Sequence, residues 1–482
     1  MMRRRKWLPF ICLLLTMLWA VPAWAAEQVA PGVRQWSFER TNWEGKSMKG
    51  YVLEVDPKQK NTEIRAVMGN EIVGSKETLS SMAQRTGAVA AVNGGFFDTV
   101  TGVPVGSVFV DGKAEYVSDI LRTSFGFTYG GGVKIGYLNP KMKVEVPGVG
   151  QLALRGINMP AVSDGLMLYS RAWGKAVPAG TQLLLKPGGS GTFLAEPVFG
   201  SVQVPAGGYV LAAWGSSTNQ LMAVPAGAKV KVITELPQEW SNLRHVLSAG
   251  PLLVESGLPV DQAVNEGLWG KVLKPAPRTA LGVNAQGKVL LVVVDGRQDG
   301  SAGLTLEELS CLMMDLGAVR AVGLDGGGST EMWVKGKIVN NPSEKKERPL
   351  GNGLMIIQQM PVYIDHRRLY LDVAPVIEQG RTLVPMRKIF EQLGATINWD
   401  EATKTVTAVK GDLEIKLTVG KTAVLVNGKS VKLDVPAKVI NGRTVVPMRF
   451  VGETLGAKVN YVATPVQAVY IESAEGGSGN AQ

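Results

Sequence analysis

The stretch from 288 to 330 restricts the fold of this chain more than any other. "KVLLVVVD" (288–295) is an unbroken apolar run, the pattern of a strand covered on both faces. "TLEELSCLMMDLGA" (305–318) follows, with Thr305 and Glu308 at capping-box spacing and Leu306, Leu309, Met313 and Leu316 recurring on one helical face. "VRAVGLD" (319–325) then reads as a second strand. Strand, helix, strand predicts a βαβ unit with parallel strands and a right-handed crossover. Asp295 and Asp325 end those strands, so both should stand at the C-terminal edge of one sheet, where open α/β sheets bind ligands. Asn93 also closes an apolar run, "AVAAVN" (88–93), at the Gly94-Gly95 turn. If that strand runs the same way, three polar side chains share one rim. Any one of them alone reads as a turn starter. Three coinciding with glycine-rich turns read as a site.

At 482 residues the chain is long for one domain and suggests at least two. "GYVLEVD" and "TEIRAVMG" alternate like strands, "KETLSSMAQRTG" reads as a helix closed by Gly87, and 103–240 looks mostly β. The expected fold class is α+β. Residues 26–358 form a mixed α/β domain with a βαβ unit and a mixed sheet. The chain changes character near "QQMPVYID" (358–365). Beyond it "GRTLVPMRKIFEQLGATINWD" (380–400) recurs as "GRTVVPMRFVGETLGAKVNYV" (442–462). That repeat implies a small, pseudo-duplicated α+β domain over 362–472, each half giving strand, helix and strand to one core. Residues 473–482 read as a disordered tail.

The first 25 residues read as a cleaved signal peptide: a basic start, an apolar core too short to span a bilayer, and small residues at Ala23 and Ala25. No later segment reads as a membrane span. The chain is therefore expected to be secreted or associated with the cell wall. The formal charge is +10, and removing Arg3, Arg4, Arg5 and Lys6 leaves +6. That excess is diffuse, with no basic run interleaved with aromatics, which argues against nucleic acid and fits attraction to an anionic polymer. Cleavage would also leave Cys311 as the sole cysteine, inside the 305–318 helix.

His245 and His366 are the only histidines, too few for a multi-histidine metal site and poorly placed for a Ser-His-Asp triad. No phosphate-binding loop with the Gly-Lys-Ser/Thr ending is present. Carboxylates, arginines and glycine turns remain. Asp98, Asp295 and Asp325 can act as general acid, general base or cation stabiliser. Arg122, Arg278, Arg297 and Arg348 can hold an anionic oxygen. The backbone N–H groups of Gly326, Gly327, Gly328 and Ser329 can form an anion-binding nest. Asp295 and Asp325 on one rim could also hold Ca2+ or Mg2+; no other cofactor is implied. A substrate that is both sugar and phosphate suits such a set.

The stretches "NGGFFD", "PRTALG", "VVDGRQDGSAGLTLEEL", "LDGGGST" and "NNPSEKKERPLGNGLMI" resemble, in this order, the motifs of the phosphodiester glycosidase family over roughly residues 45–358. The resemblance implies hydrolysis between a sugar's anomeric carbon and a phosphodiester, in an extracellular or cell-wall glycopolymer. It also implies a site lined by Asn93, Gly94, Gly95, Arg278, Asp295, Asp325, Gly326, Gly327, Gly328, Ser329 and Arg348. Which aspartate is acid and which is base stays open. The resemblance implies Asn, as in many relatives, where this chain has Gly323. That departure motivates a second reading, a wall- or polysaccharide-binding protein that keeps the glycosidase fold without turnover. A third is cleavage on the phosphorus side. Residues 362–472 resemble the N-terminal domain of copper amine oxidases, without the histidine and cysteine content of a copper site. Arg387 and Arg449 there are expected to form structural ion pairs.

Overall fold

The computed structural model describes residues 26–463 and 467–473. The expected signal peptide and all but the first residue of the expected tail lie outside the described residues. The chain divides into two compact units, 26–84 with 88–357, and 85–87 with 358 onward. Strand residues make up 48% and helical residues 12%, so the few helices serve mainly to cover sheets in a mixed α+β architecture.

The sheet that carries both aspartates has eight strands. In spatial order these are Glu27–Ala30, Val33–Thr41, Ser47–Val55, Val289–Val294, Arg278–Asn284, Ala318–Gly323, Leu252–Glu255 and Leu258–Pro259. The apolar run at 289–294 is buried throughout. Its side chains alternate between two cores, as the two-residue period of a strand requires. Val289, Leu291 and Val293 enter one; Leu290, Val292 and Val294 enter the other, where Leu309, Leu312 and Met313 of the helix Leu306–Asp315 close it. That helix begins as its sequence dictates. Thr305 Oγ1 accepts from the Glu308 N–H at 3.1 Å, and Glu308 Oε2 accepts from the Thr305 N–H at 2.7 Å.

Two features of the rim do not follow from the sequence. The strands that end at Asp295 and Asp325 lie in one sheet but are not neighbours. Arg278–Asn284 lies between them and runs antiparallel to both, so the outer two run parallel to each other. Two strand spacings place their ends roughly 10 Å apart along the sheet edge. The second feature is that Ala88–Asn93 belongs to another sheet. This one has five strands, in the order Lys337–Ile338, Met332–Val334, Ala88–Asn93, Asn352–Gln358 and Thr62–Met68. The two sheets meet where the Asp325 N–H donates to the Gly94 carbonyl at 3.0 Å.

Gly323 has a packing reason here. Its N–H donates to the Pro251 carbonyl at 2.9 Å and its carbonyl accepts from the Gly250 N–H at 2.9 Å. A Cβ at 323 would stand 3.1 Å from the Gly250 carbonyl oxygen and 3.2 Å from the Pro251 ring. A side chain there would press on backbone, so Gly323 fits the Gly250–Pro251 turn.

Most of 103–248 forms a thirteen-stranded sheet, matching the β-rich reading of that stretch. In the other unit, Arg381–Pro385 leads into the helix Met386–Gln392 and Arg443–Pro447 into Met448–Leu455. The two strands pair antiparallel about Val384 and Val446. Val384, Ile389 and Phe390 share a core with Val446, Phe450 and Val451. Two ion pairs cross between the halves: Arg381 Nε with Asp434 at 2.6 Å, and Arg443 with Asp372. The likeness of the halves thus reaches upstream to "LDV" at 371–373 and 433–435. Arg449 lies 3.9 Å from Asp434 and is mostly exposed; Arg387 is exposed as well.

Candidate active site

Asn93 is the hub that joins the two sheets. Its Oδ1 accepts from Thr279 Oγ1 at 2.7 Å and from the Glu331 N–H at 3.2 Å. Its Nδ2 donates to the Asp325 carbonyl at 2.7 Å. Both acceptor positions of this buried amide are thereby filled. Asn93 sets the position of the Asp325 loop and does not offer its oxygen to a ligand. Gly94 and Gly95 are required by close approach: a Cβ on the first would strike Asn352 and on the second the Ser248 carbonyl.

Asp295 is buried at the end of its strand. Its Oδ1 accepts from Asn340 Nδ2 at 3.1 Å and from the Asn341 N–H at 3.0 Å. Burial raises the carboxyl above the usual range, against the stabilising pull of Asn340, Asn341, Lys49 and Tyr51. The Tyr51 hydroxyl is in turn pushed up to about 12 by burial and by the Asp295 charge. Asp325 is moved further. Burial of its carboxyl pushes it up to about 6, against the Ser329 side chain, the Gly326 N–H and the Arg348 charge. The Gly326 N–H reaches its Oδ1 at 2.9 Å. The sequence left the two aspartates interchangeable. Burial raises both carboxyls above the usual range.

The glycine turn does not act as a nest over its whole length. The Gly326 N–H is spent on Asp325, the Gly327 N–H on the Pro277 carbonyl at 2.9 Å and the Ser329 N–H on the Gly326 carbonyl at 3.2 Å. The missing side chains serve another purpose. Gly327 adopts φ +62°, and a Cβ on it would stand 3.1 Å from Arg297 Nη1. A Cβ on Gly328 would collide with the Arg348 guanidinium and with Glu344. Glycine lets two cations close on one turn.

The arginines divide by their partners. Arg278 is buried and largely committed: Nε donates to the Leu304 carbonyl at 2.8 Å, and Nη2 to the Val272 and Lys274 carbonyls at 2.7 Å each. Its Cδ and Nη1 both stand 3.9 Å from where a Cβ on Gly326 would lie. Burial and the neighbouring Arg297 lower it to about 10. Arg348 pairs with Glu344 and donates from Nη1 to Ser329 Oγ at 3.3 Å. Arg297 is exposed, forms no ion pair among the described residues, and holds a left-handed φ of +59°. Its guanidinium lies against the Gly327 end of the turn.

Other sequence candidates fall outside this constellation. Asp98 is exposed and caps its own turn, its Oδ1 accepting from the Val100 and Thr101 N–H groups at 3.0 and 2.7 Å. Arg122 donates to the Glu266 carbonyl at 2.8 Å and lies over Phe96. Neither Asp295 nor Asp325 joins a group of three side chains able to hold a metal among the described residues; that arrangement occurs at Glu63, Asp111 and His245. There Arg65 and Arg244 already neutralise both carboxylates at 2.7–3.2 Å, so the cluster is a closed ion network and a poor cation site. Asp295, with two N–H bonds on one oxygen, is likewise a thin donor set for Ca2+ or Mg2+. Sequence reading missed Thr279, Tyr51, Asn340 and Glu331. Thr279 and Asn340 lie inside quoted motifs, and Tyr51 and Glu331 carried no spacing signal.

The sequence profile of the phosphodiester glycosidase family matches residues 190–357, and that of the copper amine oxidase N-terminal domain matches 363–469. The first match contains both aspartates and all four turn residues but not Asn93. The SPbeta prophage-derived uncharacterized protein YomE of Bacillus subtilis (strain 168) is 36% identical over 88 residues, 18% of this chain and 14% of that protein. A hypothetical protein from Synechocystis shares the fold at 23% identity and a TM-score of 0.58, over 68% of this chain and 62% of its own. A protein from Burkholderia pseudomallei K96243, whose name marks it as a candidate for export, aligns at 26% identity and a TM-score of 0.54, over 65% and 74% of the two chains. The chain thus spans about a seventh of the curated relative and under two thirds of the Synechocystis structure. Among the described residues no helix is long and apolar enough to cross a membrane.

Proposed function

With residues 190–357 matching the phosphodiester glycosidase family, we propose that this chain is an exported hydrolase. It cleaves the bond between a sugar's anomeric carbon and a phosphodiester in an extracellular or cell-wall glycopolymer. What supports the reading is two strand-end carboxyls at one edge of a sheet, beside a glycine turn on which the Arg297 and Arg348 guanidinium groups close.

In this mechanism Arg297 and Arg348 hold the phosphate over the turn, and Asp325 gives its proton to the leaving oxygen. A phosphate monoester takes up its second proton near pH 6, close to the value for Asp325, so the transfer is nearly balanced. The bond from the anomeric carbon to oxygen breaks, and the electron pair leaves with the phosphate. Asp295 steadies the oxocarbenium-like transition state and takes a proton from the water that adds to the anomeric carbon. Sugar and phosphate monoester are the products.

The test is release of free sugar from a sugar 1-phosphodiester by the purified protein. Asp295→Asn and Asp325→Asn should each lower the rate by roughly a hundredfold or more. Rates within a few-fold of wild type for both would refute the assignment.

A further inference from the structure

Residues 260–277 join two strands of the sheet that carries both aspartates, Leu258–Pro259 and Arg278–Asn284. This loop is tied down at two points. Early in it Glu266 turns inward: Oε1 accepts from Thr123 Oγ1 at 2.7 Å and from the Leu252 N–H at 2.8 Å, and Oε2 accepts from the Thr123 N–H at 3.0 Å. Late in it the Val272 and Lys274 carbonyls each accept from Arg278 Nη2 at 2.7 Å. Between the ties, Leu268 packs into the core closed by the helix Leu306–Asp315. Its neighbour Trp269 is 68% exposed. Tryptophan is mostly buried in folded chains, so an indole left in water on a loop held this firmly calls for a partner.

The setting of Trp269 narrows the chemistry of that partner. It precedes the short 3-10 turn Gly270–Leu273, after which the Lys274 N–H donates to the Lys271 carbonyl at 3.2 Å. Positions three apart eclipse on such a turn, which brings Lys271 and Lys274 to one side of it. Both lysines are exposed and form no ion pair among the described residues, and 267–275 contains no acidic residue. The loop also adjoins the glycine turn. Arg278, which holds the Val272 carbonyl, has its Nη1 3.9 Å from where a Cβ on Gly326 would lie. Trp269 is one 3-10 turn, about 6 Å, beyond Val272. A flat apolar ring beside two cations, a short step from the turn, matches a sugar ring joined to a phosphate.

We propose that Trp269, Lys271 and Lys274 form a subsite for the repeat next to the scissile bond, the indole stacking on the C–H face of its sugar and the two ammonium groups taking its phosphate. The proposal rests on the hydrolase reading and deepens it: the substrate is a polymer of sugar-phosphate repeats, held at more than one repeat.

The experiment uses the full chain carrying Asp325→Asn, which keeps the polymer whole, labelled with 5-fluorotryptophan. The probes are two polymers of sugar 1-phosphate repeats, one of glucose and one of N-acetylglucosamine, beside neutral dextran. The Trp269 resonance, identified by its absence from Trp269→Ala, should shift with at least one of the two polymers and stay in place with dextran. Calorimetry should show that polymer binding roughly tenfold more weakly to Trp269→Ala, and again to Lys271→Ala with Lys274→Ala. Should Asp325→Asn not fold, KM for the polymer in the otherwise wild-type chain should show the same tenfold change. Trp269→Ala alone should leave the thermal melt, and hydrolysis of the methyl ester of a sugar 1-phosphate, within about twofold or a degree of wild type. The proposal is overturned if neither polymer binds, if a polymer binds without moving the Trp269 resonance, or if dextran moves it as far. It is equally overturned if either variant binds the polymer within about twofold of its parent, or if Trp269→Ala abolishes self-association of the chain in place of polymer binding. Failure of the hydrolase reading shows separately: polymer binding and its loss in Trp269→Ala would persist while the wild-type chain releases no sugar.

Discussion

Arg297→Gly separates function from stability in one substitution. Arg297 holds φ +59°, a region that a non-glycine residue enters at a cost of about 1 kcal/mol or more. Glycine removes that strain, and its extra freedom in the unfolded chain opposes the gain by about 0.5–1 kcal/mol. The guanidinium forms no ion pair among the described residues, so no carboxylate is left unpaired by its loss. The net change in stability should lie within about 1 kcal/mol of zero, a shift of a few degrees at most in the melting temperature. Binding should respond differently. A hydrogen bond to a charged group contributes about 1.5–3 kcal/mol, which corresponds to a roughly ten- to hundredfold rise in KM for the phosphodiester. The assay is steady-state hydrolysis beside a thermal melt on the same preparation. A KM within about twofold of wild type, with the melt unchanged, would refute the assignment of Arg297 to the phosphate.

The pH profile follows from the carboxyls: with Asp325 at about 6 acting as the acid, kcat/KM should fall as pH rises through that value. Asp325 is raised from 3.8, so the stability it lends is full below that value and lost as pH rises through about 6; melts of Asp325→Asn against wild type should diverge over that window. Asn93→Ala removes the partner of Thr279, of the Glu331 N–H and of the Asp325 carbonyl, and should cost about 3 kcal/mol in urea unfolding along with most activity. Arg381→Ala and Arg443→Ala break equivalent exposed pairs and should each cost under about 1 kcal/mol, by similar amounts. Activity should survive a strong chelator, since the two aspartates offer a divalent ion few oxygen ligands.

What could be read from the sequence was local. The 289–294 run has only apolar residues, which fixes a strand buried on both faces. Thr305 and Glu308 fix where the helix starts, and the repeated "GRT" strands announce each other. The rest depends on partners distant in sequence. Nothing in 288–325 reveals that Arg278–Asn284 will insert between its two strands, and nothing in "AVAAVN" says which sheet it joins. The glycine turn misled for the same reason. Its composition allows a nest, but its N–H groups are claimed by Asp325, Pro277 and Gly326, and the space it opens is filled by Arg297 and Arg348. Arg278 looked like an anion holder until three backbone carbonyls took its donors. Gly323 looked like a loss and is a fit to the Gly250–Pro251 turn.

The central claim is cleavage at the anomeric carbon, and hydrolysis of a sugar 1-phosphodiester in water enriched with oxygen-18 tests it most directly. The account predicts free sugar carrying the label, phosphate monoester without it, and loss of both products in Asp325→Asn. Label on the phosphate would place the cleavage on phosphorus, and saturable binding with no product over long incubation would make this a binding protein; either result contradicts the mechanism.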